Sequence, residues 1–139
     1  MRTRYTGPLA SLLFLGQGAF SARGAEPMKC VARLDLPSVV ILARNAESGG
    51  TVHAAVFIGP DGTLERLELD GGEKVLQVET QIHLKNSTFR SGCSGQKINL
   101  YYEFHFEGKP TRDDVPPRLV FEPPDKFVIY LRRMPPIVN

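Results

Sequence analysis

Gly50-Thr51-Val52-His53-Ala54-Ala55-Val56-Phe57-Ile58-Gly59-Pro60-Asp61-Gly62-Thr63-Leu64-Glu65-Arg66-Leu67-Glu68-Leu69 spells two apolar-rich strands around one strongly specified turn. Pro60 presets φ for the first corner, Asp61 can bond to the backbone ahead, and Gly62 accepts positive φ, so this segment predicts a β-hairpin with antiparallel arms. In the first arm Val52, Ala54, Val56 and Ile58 share one face, and Thr51, His53, Ala55 and Phe57 share the other. The first set reads as the core face. Leu67 and Leu69 repeat at period two in the return arm, which stops at Asp70-Gly71-Gly72.

Downstream of the hairpin, the period changes at Glu73. Val75, Val78 and Ile82, with Leu76 and Leu84 at the edges, recur at three- and four-residue spacings, whereas Gln77, Glu79, Gln81 and Lys85 fall on the other side. That pattern predicts a helix with one apolar stripe, ending near Asn86, from which His83 projects without a partner. Beyond a loop holding Ser91-Gly92-Cys93-Ser94-Gly95, the residues Ile98, Leu100, Tyr102, Phe104 and Phe106 alternate strictly and mark a strand over 98–106. A polar linker leads to residues 118–131, where Pro123-Pro124-Asp125 supplies the turn of a second hairpin. Upstream of the first hairpin, Pro37-Ser38 can open a short helix that Gly49 ends.

The first 25 residues differ from the rest. Arg2 and Arg4 precede an apolar run over 8–20, the layout of a secretory signal peptide, with small residues offering a cut between Ser21 and Glu26. The run is shorter than the 20 or so apolar residues of a spanning helix, although an uncleaved anchor is the competing reading. The whole chain carries 17 basic and 15 acidic residues. Loss of Arg2, Arg4 and Arg23 leaves 14 against 15, a net charge of −1. No block of like charge then remains for nucleic acid. Export places Cys30 and Cys93 in an oxidising compartment, where a disulfide is the simplest reading and two buried thiols the alternative.

The order short helix, hairpin, helix, long strand, hairpin predicts an α+β domain, a small antiparallel sheet with its helices on one face and a C-terminal β-hairpin extension. Leu42-Ala43-Arg44-Asn45-Ala46 with Gly50-Thr51-Val52, then Ile58-Gly59-Pro60-Asp61-Gly62-Thr63-Leu64, the helix from Val75-Leu76 to the aromatic Phe89, and the strand 98–106 together resemble the C-terminal domain of the TonB family in a short exported form. Leu119-Val120-Phe121-Glu122-Pro123-Pro124 and Val128-Ile129 resemble a tail that follows the domain in such forms. The usual Tyr-Pro of the family falls on Val39-Val40, and its Trp on Ser87. The organisation expected is a leader over 1–25, a linker over 26–35, the TonB-like domain over 36–108, and a linker with the hairpin extension over 109–139.

The resemblance implies a periplasmic or secreted, non-enzymatic binding module. Its partner is a segment of an outer-membrane or envelope protein added as a strand along 98–106, with Asn99, Tyr101, Glu103 and His105 as the partner-binding edge. TonB itself adds an inner-membrane anchor and a proline-rich spacer, so energy transduction by this chain alone is not expected. A separate membrane-anchored subunit and a homodimer both stay open. The alternative is an accessory structural or dimerisation domain whose strand edge is covered by the C-terminal hairpin over 119–131. An enzyme would draw on His53, Glu103 and His105, but a zinc centre wants three or four converging ligands with supporting bonds. No metal, cofactor or nucleic acid is expected, and no nucleophile triad or phosphate loop is spelled out.

Overall fold

The computed structural model describes residues 26–35 and 42–137. The expected leader and residues 36–41 of the expected first helix lie outside the described residues. Among the described residues, seven strands and one α-helix follow in chain order: β1 (Val31–Arg33), β2 (Gly50–Ile58), β3 (Leu64–Asp70), α1 (Lys74–Lys85), β4 (Thr88–Phe89), β5 (Lys97–Phe106), β6 (Arg118–Glu122) and β7 (Lys126–Leu131). β1 and β4 form a small antiparallel pair, and the other five strands form one sheet in the order β3-β2-β5-β7-β6.

The expected first hairpin is β2–β3, antiparallel with Ala54 opposite Leu69 and Val56 opposite Leu67. Its turn closes through Gly59 N–H to Thr63 C=O at 2.7 Å. Asp61 itself is left-handed, with φ of 60°, a conformation that its short polar side chain tolerates. Gly62 follows at φ of 77°, and a Cβ there would stand 2.0 Å from the Phe89 carbonyl oxygen, so the turn is seated against β4.

Pairing extends the core face across the sheet. Val52, Ala54 and Val56 lie opposite Tyr102, Leu100 and Ile98 of β5, and Tyr102, Phe104 and Phe106 lie beside Phe127, Ile129 and Leu131 of β7. These residues join one apolar cluster with Leu76 and Leu84 of α1 and with Cys30 and Val31. The hydroxyl of Tyr102 is buried with no hydrogen-bond partner among the described residues, and burial pushes its pKa far above the usual phenol range.

Four expectations are corrected. The sheet is mixed, because β7 runs parallel to β5 while every other neighbouring pair is antiparallel. A long connection over 107–117 carries the chain to the outside position first, so the return arm of the second hairpin enters beside β5. The helix is rotated relative to its predicted stripe. Leu76, Glu79, Thr80, His83 and Leu84 are its buried residues, while Ile82 is exposed. Glu79 and His83 tolerate burial because each bonds the other, which is the condition for placing ionisable groups inside. The expected short helix contributes, among the described residues, only a 3-10 turn over Ala43–Asn45. Residues 26–35 also form structure rather than a linker: a 3-10 turn over Pro27–Cys30 leads into β1, which sits on β4.

Arg44 closes this architecture. Only 3% exposed, it donates from Nε to the Arg132 carbonyl at 2.8 Å, from one terminal nitrogen to the Asp113 carbonyl at 3.0 Å, and from the other to the Thr111 carbonyl. The planar guanidinium thus gathers the chain just before β6 and just after β7. Met134 N–H returns a bond to the Arg44 carbonyl at 3.1 Å, and Arg133 reaches the Ala46 carbonyl at 2.7 Å. Cys30 and Cys93 form a disulfide with their Cα atoms 5.7 Å apart.

Candidate functional site

Strand-edge availability is the question posed by the sequence, and the sheet order answers it for β5. Residues 97–104 of β5 pair with β2 on one side, and residues 101–106 pair with β7 on the other. Tyr101 N–H donates to the Asp125 carbonyl at 2.9 Å, and Glu107 N–H to the Leu131 carbonyl at 2.9 Å. Tyr101, Glu103 and His105 therefore lie on an interior strand along the length of β7, and an incoming strand adds there only by displacing β7. Asn99 lies outside the β5–β7 register.

The side chains of these four residues do share the face away from α1, as their alternation implies. They are engaged with one another and with neighbouring strands. His53 bonds Asn99 through Nε2 at 2.7 Å and Asp70 through Nδ1 at 3.1 Å, and its ring stacks on Tyr101 with centroids 5.0 Å apart. Glu103 contacts His105 and, at 3.0 Å, Lys126, whose ammonium also lies 3.3 Å from Glu122. The bond from His105 and then that from Lys126 hold the Glu103 carboxyl below its usual range. His105 stacks on Tyr130, over which the Arg118 guanidinium sits at 4.0 Å. Each histidine has its own partners, and among the described residues no cluster of three His, Cys, Asp or Glu side chains could hold a metal ion.

A second ionisable group is buried on the other face, and the sequence reading missed it. His83, 7% exposed, lies between Glu79 and Asp35, with Nε2 2.8 Å from the Glu79 carboxylate and Nδ1 3.3 Å from that of Asp35. Glu79 also accepts the Ala43 amide at 3.1 Å, and Ser87 Oγ accepts the Asp35 amide at 2.8 Å. The spacing of Glu79 and His83, four residues apart in a helix, was the available signal; Asp35, far away in sequence, gave none. Burial alone lowers the His83 pKa, but the bonds to Glu79 and Asp35 and their negative charges outweigh it and raise the pKa above the usual 6.5. Because the folded pKa is the higher one, this cluster stabilises the fold fully below about pH 6.5, and the contribution is lost as pH rises through the folded pKa. Urea unfolding across that range will show stability falling with rising pH, and His83→Gln will flatten the fall. An unchanged slope in the variant would assign the effect to other groups.

Two strands bound the sheet, β3 and β6. Edge strands present unpaired backbone groups, and charges along them discourage pairing. β3 carries Glu65, Arg66, Glu68 and Asp70 in seven residues. β6 reads Arg118-Leu119-Val120-Phe121-Glu122, with both charges at its ends and an apolar middle in which Val120 is 37% and Phe121 41% exposed. Backbone direction alternates along a strand. Since Asp125 and Leu131 turn their carbonyls toward β5, Lys126, Val128 and Tyr130 face β6, bonding the register partners Glu122, Val120 and Arg118. The backbone groups of Leu119 and Phe121 consequently point outward from the sheet. Pro117 and Pro123 occupy the next outward positions on either side and offer no N–H.

No protein-family model matches this chain, and no similar curated protein or solved structure was found. Among the described residues no helix is long and apolar enough to cross a membrane.

Proposed function

We propose that this chain is a non-catalytic protein-interaction module of the TonB C-terminal type, acting outside the cytoplasm, that takes an extended protein segment by strand addition at the outer edge of β6. The observation that carries the reading is the contrast between strands: β5 is flanked on both sides over residues 101–104, whereas β6 ends the sheet with outward backbone groups at Leu119 and Phe121 and exposed apolar side chains. The C-terminal hairpin, added to the edge where the TonB family is implied to bind, shifts that edge two strands outward. The formed Cys30–Cys93 disulfide supports an oxidising compartment, and hence a periplasmic or secreted location. The expected partner is a segment of an envelope or outer-membrane protein.

Random heptapeptides displayed on phage and selected on the purified chain test the reading, with amide hydrogen exchange locating the bound peptide. Selected peptides are expected to slow the Leu119 and Phe121 amides and to lose binding to Phe121→Pro, which removes an outward donor. Peptides that bind while leaving both amides unchanged, or the failure of selection to yield any binder, would contradict it.

A further inference from the structure

Resting on the β6 reading, we propose that in the absence of that partner the same edge takes β6 of a second copy, joining two sheets antiparallel about a two-fold axis at Val120. The sequence of β6 is self-complementary under that operation. With Val120 opposite Val120 of the second copy, Arg118 faces Glu122, Leu119 faces Phe121, and each relation is repeated in reverse, as a two-fold interface requires. Arg118, Val120 and Glu122 share the face away from α1, while Leu119 and Phe121 share the core face, so every cross-strand pair matches like chemistry with like or opposite charge with opposite.

Backbone direction agrees with the side-chain match. Outward groups belong to Leu119 and Phe121, which this register places opposite each other, so the two hydrogen-bonded pairs supply four backbone bonds. Val120–Val120 and the two Arg118–Glu122 pairs become non-hydrogen-bonded pairs, the positions where facing side chains approach closest. Pro117 and Pro123 bracket the segment and penalise a shift by two residues, which brings a position without N–H into the ladder. The opposite edge is less self-complementary: centring β3 on Leu67 pairs Arg66 with Glu68 but puts Leu64 against Asp70 and Glu65 against Leu69.

Arg118 and Glu122 are already held in place for this role. Arg118 lies over Tyr130 and bonds Glu107 at 3.0 Å, and Glu122 lies 3.3 Å from Lys126, so both charges stay on the outer face beside the free edge. Exposed ion pairs add little affinity but choose register and partner.

Sedimentation velocity of the purified chain over rising concentration, with two sets of variants, tests the inference. Wild type is expected to show a monomer–dimer equilibrium. Arg118→Glu and Glu122→Arg singly turn both attractive pairs repulsive and weaken the dimer by about tenfold. The double variant R118E/E122R restores association to near the wild-type value. Both native cysteines are in the disulfide, so Val120→Cys introduces the sole thiol, placed at the axis. It is expected to form an intermolecular disulfide on mild oxidation, whereas Phe121→Cys, facing Leu119, is not. Monomeric wild type at every concentration, equal cross-linking at positions 120 and 121, or no recovery in the double variant would overturn the dimer. If the chain is monomeric and selected peptides still protect Leu119 and Phe121, the dimer falls and the β6 reading stands. If nothing protects those amides, both fall.

Discussion

Replacing Cys30 and Cys93 together with serine is expected to lower the unfolding free energy by about 4 kcal/mol, the loop-closure entropy of a bridge spanning 63 residues. The strand pairing at the same junction is slight and cannot substitute for it. β1 meets β4 through Val31 opposite Phe89 and Arg33 opposite Thr88, and Arg90 N–H reaches the Cys30 carbonyl at 2.8 Å. Without the bridge, the Pro27–Cys30 turn and β1 are held by these few bonds, by the Arg33 guanidinium donating to the Asn86 carbonyl at 2.8 Å, and by the burial of Pro27 and Val31. The consequence extends past the N-terminal segment, because Asp35 follows β1 and supplies one of the two carboxylates around His83. Guanidinium unfolding of the oxidised chain and the double serine variant measures the difference. A loss below about 1 kcal/mol would show that the bridge constrains neither state much.

Arg44→Ala is expected to cost about 3 kcal/mol, since it leaves three carbonyl groups, those of Thr111, Asp113 and Arg132, without their buried donor. Arg44→Lys recovers only a minor part, because a single ammonium on a flexible stem cannot address three carbonyls spread across a planar fork. The effect has a location as well as a size. Arg44 ties the connection after β5 to the tail after β7, so its loss frees the hairpin β6–β7 from the rest of the sheet before the hairpin β2–β3 is affected. Amide exchange on Arg44→Ala should therefore quicken first at Tyr101 and Glu107, whose donors point to β7. Uniform quickening across β2 and β5 would instead mean that Arg44 contributes to global stability alone.

Local rules carried much of the fold. The turn at Pro60-Asp61-Gly62 and the alternation from Ile98 to Phe106 read correctly because each is decided within a few residues by backbone preference and period. The second hairpin was legible for the same reason, but the side on which it would join the sheet was not. Parallel placement of β7 beside β5 depends on a crossover whose closure is made by Arg44, a residue that looks like ordinary helix surface in the sequence. The rotation of α1 has a similar origin. Counting Val78 and Ile82 as the buried stripe ignored the capacity of Glu79 and His83 to satisfy each other, and their third partner, Asp35, is 48 residues from His83. The candidate edge moved with the hairpin: Tyr101, Glu103 and His105 face the side expected of them, yet the neighbouring strand is β7 from the same chain. The charge pattern of β6 was visible throughout, but its meaning required knowing that β6 ends the sheet.

Backbone amide exchange in the free chain tests most directly the central claim, that β5 is closed and β6 is the edge available to a partner. At concentrations low enough to keep the chain monomeric, Tyr101 and Glu107 amides are expected to be strongly protected, because they donate to Asp125 and Leu131, while Leu119 and Phe121 amides exchange near the rate of unstructured chain. Fast exchange at Tyr101 and Glu107, with protection at Leu119 and Phe121, would contradict that claim and return the docking edge to β5.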